Sequence, residues 1–408
     1  MNGKLGNILK TRRNKIVKSL KNNSILILYS GEEVKKSEDI NYPFWVNRNY
    51  FYLANLTIQK SFFIILKNED KTKEYISINK PDKRTKKFFG KGPSKLKIKK
   101  FGSVKLENII TNDTLSKFLK DLIKENSVKT IYVDYKNCQK VNEILEENKI
   151  KLNTIDIYND IILQRLVKDK YEIQSIKRAV KVTKKGFLKI FSNLKKSTKE
   201  YELVNCFNEE VLNNGTHELA FDSIVAAGKN ATCLHYPEAS SNLKKNELVL
   251  CDVGAGYNHY ASDVTRTLPI NGKYKPLQKI IYKIVEKCNE HIISSVKPGV
   301  TLEYLQNETK KFLSKECQKH KLIKNKKGLD KIYYHEVSHH VGLDVHDPNV
   351  NNKLEENNVI TVEPGLYFKD LKIGVRVEDT VLVTKKGSKV LTNMIPKKIK
   401  SIENMLKN

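Results

Sequence analysis

The sequence lacks most features that identify membrane, secreted and nucleotide-binding proteins. No apolar run in its 408 residues approaches the roughly 18–20 residues that span a bilayer. No P-loop or G-x-G-x-x-G pattern follows a strand-like segment. The six cysteines are scattered without a C-x-x-C pair, which argues against a disulfide scaffold or a cysteine-based zinc site and is typical of a reducing cytoplasm. We therefore expect a cytoplasmic protein with no membrane-spanning segment and no nucleotide site.

Acidic residues are absent from residues 1–31, and this basic start raises the question of a transit peptide. The segment is rich in Lys and Asn, not in Arg and Ser, and it leads directly into the apolar run 25–28. We interpret it as the first helix of the fold, with mitochondrial import as the alternative.

Arginine is scarce, since it supplies 8 of the 75 basic residues and lysine supplies the other 67. The formal net charge of +29 would ordinarily suggest a nucleic-acid partner. Evenly spread lysines without arginine or interleaved aromatics suit base reading and stacking poorly. An AT-rich genome also enriches lysine and asparagine everywhere. We therefore expect a solvated basic surface and no nucleic-acid partner.

Histidine is absent from the first half of the chain, because all nine histidines lie between His217 and His346. Residues 1–160 alternate strand-like and helix-like segments, which predicts a smaller α/β domain. Residues 161–408 combine helices with antiparallel-looking strands, which predicts an α+β domain that holds the chemistry. In the first domain we predict strands at 24–30, 61–66, 74–78 and 130–135, helices at 114–123 and 141–147, and a disordered basic loop at 91–100.

In the second domain a capping box at Ser197 and Glu200 and a proline at the first helical position, Pro276, indicate helix starts. The predicted strands are 223–227, 248–253, 359–362 and 375–384.

Four of the nine histidines lie in residues 335–347. His335-Glu336-Val337-Ser338-His339 matches the H-E-x-x-H helix of zinc proteases, and Gly342 fits the longer metzincin pattern. The third histidine of that pattern should stand at position 345, but Val345 is there and His346 follows one residue late. The alternation of apolar residues over 341–345 instead favours an extended backbone, in which residues four apart are up to ~13 Å apart and cannot share one ion.

Four carboxylates interrupt otherwise apolar strand-like segments: Asp252, Asp263, Glu363 and Glu378. A buried carboxylate costs several kcal/mol unless a cation compensates it. A salt bridge to Arg266 or Arg376 could explain one of them, but four with adjacent histidines favour a metal site. A hard, oxygen-rich shell with one imidazole suits Mn²⁺, Co²⁺ or Fe²⁺ better than a single structural zinc. Bridging carboxylates could hold two such ions roughly 3.5–4 Å apart.

Over nearly its whole length the chain resembles the pita-bread metallopeptidases, specifically the aminopeptidase P and prolidase branch. In the second domain the resemblance is carried by residues 224–236, Asp252 with Asp263-x-x-Arg266-Thr267, Ser338-His339 with residues 342–347, residues 361–367 and residues 374–379. In the first domain it is carried by residues 41–44 and 50–53.

The resemblance implies a C-terminal pita-bread domain of the creatinase/aminopeptidase type, after a non-catalytic α/β domain of the aminopeptidase P N-terminal type. It implies a dinuclear exopeptidase that hydrolyses the Xaa-Pro bond at peptide N-termini. The expected cofactors are two divalent ions, Mn²⁺ first, with Co²⁺, Fe²⁺ or Zn²⁺ as alternatives. The expected assembly is a homodimer or homotetramer.

The resemblance also implies roles for individual residues. The metal ligands would be Asp252, Asp263, His339, Glu363 and Glu378, and the presence of all five argues against the creatinase-like relatives that share the fold but not the metals. Glu363 would also handle the proton of the bridging hydroxide. His235 would hydrogen-bond substrate or protonate the leaving imino nitrogen, and His346 would stabilise the gem-diolate. His335 would bind substrate near the proline, and Arg376 would help to orient it.

Three positions depart from the pattern of the branch. Gly256 replaces a usual Glu, Trp45-Val46 occupies the place of an expected Arg, and Phe88-Phe89-Gly90 stands where Trp-x-Gly is frequent. These departures bear on substrate length and subunit contacts, not on the hydrolytic chemistry.

The sequence is also compatible with other functions. They are an Xaa-Pro dipeptidase (prolidase), a single-zinc H-E-x-x-H protease, and a catalytically inactive pita-bread protein that binds RNA or ribosomes.

Overall fold

The computed structural model describes residues 2–69, 71–216 and 218–407, so His217 lies outside the described residues. The chain divides into two compact units, Met1–Arg165 and Leu166–Asn408. No helix in the described part of the chain is both long enough and apolar enough to cross a bilayer.

The elements of the first unit are α1 (Asn2–Ser19), β1 (Ser24–Tyr29), α2 (Arg48–Ala54), β2 (Phe62–Lys67), β3 (Thr72–Ile78), α3 (Lys83–Phe89), α4 (Lys95–Gly102), β4 (Ile109–Thr111), α5 (Asn112–Glu125), β5 (Thr130–Val133), α6 (Gln139–Glu147), β6 (Asn153–Asp156) and α7 (Tyr158–Leu166). The strands form one mixed sheet in the order β4-β3-β2-β1-β5-β6. Its two central strands are nearly continuous apolar runs because both faces of the sheet are buried.

Helix α4 contradicts the predicted loop at 91–100, which is wrong from residue 95 onwards. Ser94 Oγ accepts a hydrogen bond from Lys97 N at 3.3 Å and caps the helix. Ile98 is completely buried, whereas the lysines of the helix are exposed. One buried side chain in two turns anchors this helix, which is too weak an apolar pattern to detect against so basic a composition.

The elements of the second unit are α8 (Lys170–Asn193), α9 (Glu200–Asn213), β7 (Ile224–Ala227), β8 (Leu248–Val253), β9 (Gly256–Tyr257), β10 (Tyr260–Ala261), β11 (Val264–Pro269), α10 (Pro276–Ser295), α11 (Leu302–Lys319), β12 (Val359–Val362), β13 (Gly365–Phe368), β14 (Ile373–Arg376), β15 (Asp379–Thr384), β16 (Gly387–Val390) and α12 (Ile399–Met405). The strands pair antiparallel in the orders β11-β8-β7, β12-β15-β16, β13-β14 and β10-β9. Helices and strands share one apolar core, in which Phe187, Phe207 and Val285 meet Val249 and Val381. The predicted α+β class is confirmed.

Two local predictions in this unit are wrong. The capping box predicted at Ser197 and Glu200 is wrong, because helix α9 begins only at Glu200. The side chain that caps its first turn is Glu202, which accepts a hydrogen bond from Thr198 N at 2.6 Å. The predicted strand 375–384 is two strands, β14 and β15, which belong to different sheets. The break falls at Val377-Glu378, where a carboxylate leaves the apolar run and turns towards β11.

Candidate metal centre

Asp252 and Asp263 are brought together by a pair of antiparallel strands. Strands β8 and β11 pair with Val253 opposite Val264 and Asp252 opposite Thr265. The residues between them form the short β9–β10 hairpin, so the eleven-residue spacing returns Asp263 to the end of the strand that carries Asp252. Both carboxylates are buried.

His339 and Glu363 meet through a second antiparallel pairing. Residues 337–341 run extended beside β12, because Glu363 N donates to Val337 O and Thr361 N donates to His339 O, each at 2.9 Å. His339 Nε2 then lies 3.3 Å from Glu363 Oε1 and 3.5 Å from Asp263 Oδ2. The histidine therefore stands between two of the predicted carboxylate ligands.

Glu378 reaches the same place from the break between β14 and β15. Its backbone N donates to Thr265 O at 3.1 Å, and its Oε2 accepts a hydrogen bond from Thr265 Oγ1 at 2.6 Å. One side-chain atom each of Asp263, His339 and Glu378 lies within 4.8 Å of the other two. Residues separated by more than a hundred positions thus form one compact polar cluster.

The H-E-x-x-H segment is not a helix at any of residues 335–347, all of which the structure describes. The geometry of a zinc-protease helix is therefore absent from this segment. The extended backbone predicted for 341–345 is also wrong, because the extended part is 337–341. Residues 342–347 turn back, with Asp347 N donating to His340 O at 2.8 Å and Gly342 N donating to Asp344 O at 2.9 Å.

The cluster carries more negative charge than its protein neighbours neutralise. Burial, together with the charges of Asp252 and Glu363, raises the pKa of Asp263 well above its usual value. Burial and the charges of Asp263 and Glu363 raise the pKa of Glu378 in the same way. Oδ1 of Asp252 and Oδ1 of Asp263 are buried without a hydrogen-bond partner among the described residues. Divalent cations would supply both the missing charge and the missing partners, so these residues fit a metal centre.

Arg376 is enclosed by protein groups beside the cluster. Its Nη2 donates to Asp252 Oδ2 at 2.6 Å, its Nε to Thr265 Oγ1 at 3.0 Å, and its Nη1 to the Tyr367 hydroxyl at 3.1 Å. The Tyr367 hydroxyl also lies 2.9 Å from His335 Nε2. A continuous hydrogen-bonded path therefore joins Asp252 to His335. The sequence assigns no role to Tyr367, although this residue ends the stretch 361–367 that carries part of the family resemblance.

The histidines predicted to contact substrate border the cluster. The His346 ring lies 4.1 Å from the His339 ring, centroid to centroid. Burial lowers the pKa of His335 to about 4, with a contribution from Arg376, and also lowers the pKa of His346 to about 4. His235 is exposed, and its charge contributes to lowering the pKa of both His335 and His346. Both His335 and His346 are therefore neutral at physiological pH.

Arg266 forms its ion pair with Asp379, which is not one of the predicted metal ligands. It is completely buried and donates from Nη2 to Asp379 Oδ1 at 2.8 Å, so the compensation of a metal-site carboxylate falls to Arg376. Glu336, which would be the general base of an H-E-x-x-H zinc protease, is exposed, whereas His340 is buried.

The three departures from the family pattern have distinct surroundings. A Cβ at Gly256 would lie 2.9 Å from Cγ of Glu218, whose carboxylate bonds His259 Nδ1 at 2.8 Å. Glu218 therefore fills the space over residue 256. The Arg48 guanidinium lies 3.9 Å from the centroid of the exposed Trp45 ring. Phe88 and Phe89 are 71% and 85% exposed.

Comparisons with known proteins cover both units. The model of metallopeptidase family M24 matches residues 174–385, and that of the aminopeptidase P N-terminal domain matches residues 9–132. The Xaa-Pro aminopeptidase of Haemophilus influenzae is 29% identical over 97% of this chain and 96% of its own. The Xaa-Pro dipeptidase of Pyrococcus horikoshii is 33% identical over 61% of this chain and 69% of its own. A Bacillus anthracis structure, which is described as a proposed aminopeptidase P, superposes with a TM-score of 0.93 at 33% identity, covering 98% of both chains.

Proposed function

Because the chain belongs to metallopeptidase family M24, in its aminopeptidase P branch, we propose that it is a metal-dependent Xaa-Pro aminopeptidase. It removes the N-terminal residue of peptides whose second residue is proline. The observation that carries the proposal is the convergence of Asp263, His339 and Glu378, with Glu363 in contact with His339, inside a chain similar to Xaa-Pro aminopeptidases over almost its full length.

In this proposal the five side chains Asp252, Asp263, His339, Glu363 and Glu378 hold two divalent ions. When bound, such ions supply Lewis-acid polarisation of a carbonyl and a water-derived nucleophile of lowered pKa. This chemistry suits a bond to proline, which is a tertiary amide without N–H and offers a peptidase only its carbonyl as a reactive handle.

The proton transfers are assigned to side chains at the border of the cluster. Burial raises the pKa of Glu363, which favours a carboxylate that can accept and hold a proton from the attacking water. Neutral His346 donates a hydrogen bond to the oxyanion that develops from the carbonyl. His235, the exposed member of the group, passes a proton to the imino nitrogen that leaves.

His335 is assigned to proline through its ring and not through its nitrogens. Arginine can only donate, so the Tyr367 oxygen accepts from Arg376 and donates its own proton to His335 Nε2. Nδ1 of His335 then carries the proton and donates it to Glu336 O at 2.8 Å. With both nitrogens engaged, the ring offers an apolar face, which suits a pyrrolidine ring. Arg376 contributes by holding Tyr367 and Asp252 in place.

The remaining parts of the proposal rest on the resemblance. Residues 1–160 form the non-catalytic domain and residues 161–408 the catalytic one. Manganese is the expected metal, the cytoplasm the expected compartment, and a homodimer or homotetramer the expected assembly.

The proposal is tested by supplying Mn²⁺ to the purified protein and comparing an Xaa-Pro-Yaa tripeptide with an Xaa-Pro dipeptide. We expect release of the first residue from the tripeptide, abolished by a chelator and restored by Mn²⁺. Turnover of the dipeptide alone would establish a dipeptidase instead. That alternative is favoured by the 33% identity to an Xaa-Pro dipeptidase, but the similarity spans only 61% of the chain. Salt-dependent RNA binding without any peptide hydrolysis would favour the inactive relative.

A further inference from the structure

We propose that Glu200 is a positioning residue for His235, because its carboxylate closes the loop that carries this histidine. The proposal rests on the proposed function for the role of His235 in turnover. The geometry of the loop stands independently of that role.

Residues 228–241 leave β7 and return to the start of α9, and Glu200 joins their two ends. Oε1 of Glu200 accepts hydrogen bonds from Ala227 N at 2.7 Å and from Asn230 Nδ2 at 3.0 Å. Oε2 accepts from Ser241 N at 2.9 Å. The Glu200 backbone N also donates to Ser241 O at 3.1 Å. The Glu200 side chain therefore ties the residue before the loop to the residue that ends it, and Asn230 Nδ2 adds a direct bond to Ser241 Oγ at 2.9 Å.

Glu200 is completely buried, and the partners of its carboxylate among the described residues are N–H donors, none of which is a cation. A buried carboxylate without a cation is stable only when hydrogen-bond donors replace its water. Three N–H groups do so here. Both oxygens face a backbone N–H, so a glutamine in either amide orientation would set its NH₂ group against a donor. The site therefore requires a carboxylate, and shape alone does not satisfy it.

A second set of contacts holds the first part of the loop. The Tyr334 hydroxyl donates to Thr232 O at 2.5 Å, and the Tyr334 ring lies 5.2 Å from the ring of Tyr367. Gly374 allows Ala231 O to approach so closely that a Cβ at 374 would lie 2.0 Å from it. Residues 233–240, which include His235, are mostly exposed and lie between this anchor and Ser241.

Leu234 and Tyr236, on either side of His235, also pack against the buried cluster that contains Ala231 and Tyr367. Glu200→Gln would disturb one of three hydrogen bonds on Ser241, beside those from the Glu200 backbone N–H and Asn230 Nδ2. The stretch that carries His235 would therefore be loosened at its Ser241 end.

The test replaces Glu200 by glutamine and uses Glu202→Gln as the matched control. Glu202 lies on the same helix and also accepts a backbone hydrogen bond, from Thr198 N at 2.6 Å, but that donor lies outside the 228–241 loop. We expect Glu200→Gln to speed amide hydrogen exchange in peptides covering 228–241, with bound manganese unchanged. We expect kcat/KM for an Xaa-Pro-Yaa tripeptide to fall on the order of 10- to 100-fold, because a small displacement of a catalytic group causes losses of this size. Glu202→Gln should change neither.

A double-mutant cycle separates positioning from a general loss of stability. If Glu200 acts through His235, Glu200→Gln should have little further effect on kcat/KM in the His235→Ala background. Fully additive effects, or unchanged exchange of the loop in Glu200→Gln, would overturn the proposal. If the wild-type protein cleaves no Xaa-Pro-Yaa peptide, the proposed function fails. In that case, faster amide hydrogen exchange confined to residues 228–241 in Glu200→Gln would still establish that Glu200 holds the loop that carries His235. Unchanged exchange would overturn that conclusion as well.

Discussion

Arg376 Nη2 lies 2.6 Å from Asp252 Oδ2, and both side chains are buried at the edge of the carboxylate cluster. Asp252 was predicted as a metal ligand and Arg376 as a substrate-orienting residue, and the structure joins them directly. The ion pair occupies Oδ2 of Asp252 and leaves Oδ1 without a partner among the described residues. One oxygen of this carboxylate is thus orientated by the protein, and the other is available to a cation.

Replacing Arg376 tests whether its geometry or only its charge is needed. Arg376→Met breaks a buried ion pair, and we expect about 3–5 kcal/mol lower free energy of unfolding. Arg376→Lys keeps the positive charge, but an ammonium group lacks the planar fork that donates to Asp252, Thr265 and Tyr367 at the same time. We expect it to fold and to lose activity. Arg178→Lys is the control, because Arg178 also donates to a tyrosine hydroxyl but is exposed. Thermal unfolding and peptide turnover decide, and full activity of Arg376→Lys would contradict the expectation.

Neutralising one carboxylate should affect the metal-free and metal-loaded proteins in opposite directions. Asp263→Asn removes a charge whose ionisation is opposed by burial and by Asp252 and Glu363. In the presence of chelator we expect Asp263→Asn to have a higher melting temperature than the wild type. The corresponding gain in unfolding free energy is about 1 kcal/mol. With saturating Mn²⁺ we expect the metal-induced rise in melting temperature to shrink. Calorimetry of both forms measures this, with the exposed Asp121→Asn as the control. A wild-type-sized manganese shift in Asp263→Asn would remove Asp263 from the ligand set.

Substitutions within the H-E-x-x-H segment should differ in their effects on turnover and on metal content. Glu336 is exposed, so Glu336→Gln should retain most turnover, whereas a zinc protease would lose essentially all of it. His335→Ala should slow turnover without loss of metal, because His335 bonds Tyr367 and Glu336 O. Metal analysis beside kinetics distinguishes these cases. Loss of bound metal in His335→Ala would restore the zinc-protease reading.

Gly342 should tolerate no side chain, since a Cβ there would lie 2.4 Å from Asp347 Oδ2. That carboxylate also accepts from Lys168 Nζ at 2.8 Å in a fully buried ion pair, and it follows His346 in the chain. We expect Gly342→Ala to lower the free energy of unfolding by about 1–3 kcal/mol and to impair turnover. Gly387→Ala is the control, because nothing lies within 4 Å of its Cβ position. Denaturant unfolding measures the difference, and equal effects of the two changes would contradict the expected crowding.

Several elements could be predicted because they depend on neighbours in sequence. Pro276 began a helix where expected, and the apolar runs at 248–253 and 359–362 are strands. The regions where prediction failed depend on distant contacts. The helix over 95–102 is anchored by one buried isoleucine, and the strand break at Val377-Glu378 follows from Glu378 bonding Thr265, 113 residues away.

The sequence by itself determined which residue types were available for chemistry and in what order. Four carboxylates in apolar surroundings already indicated a cation, because burying such charge unpaired is too costly. Only the tertiary structure decided which of them meet and in what state. Residues 337–341 are extended because their backbone pairs with β12, and that pairing places His339 in the cluster, whereas His335 bonds the Tyr367 hydroxyl. Likewise, Glu200 bonds Ala227 and Ser241, which are 27 and 41 positions away in the chain. Tyr367 bonds Arg376 and His335, which are 9 and 32 positions away. No local sequence pattern encodes these contacts.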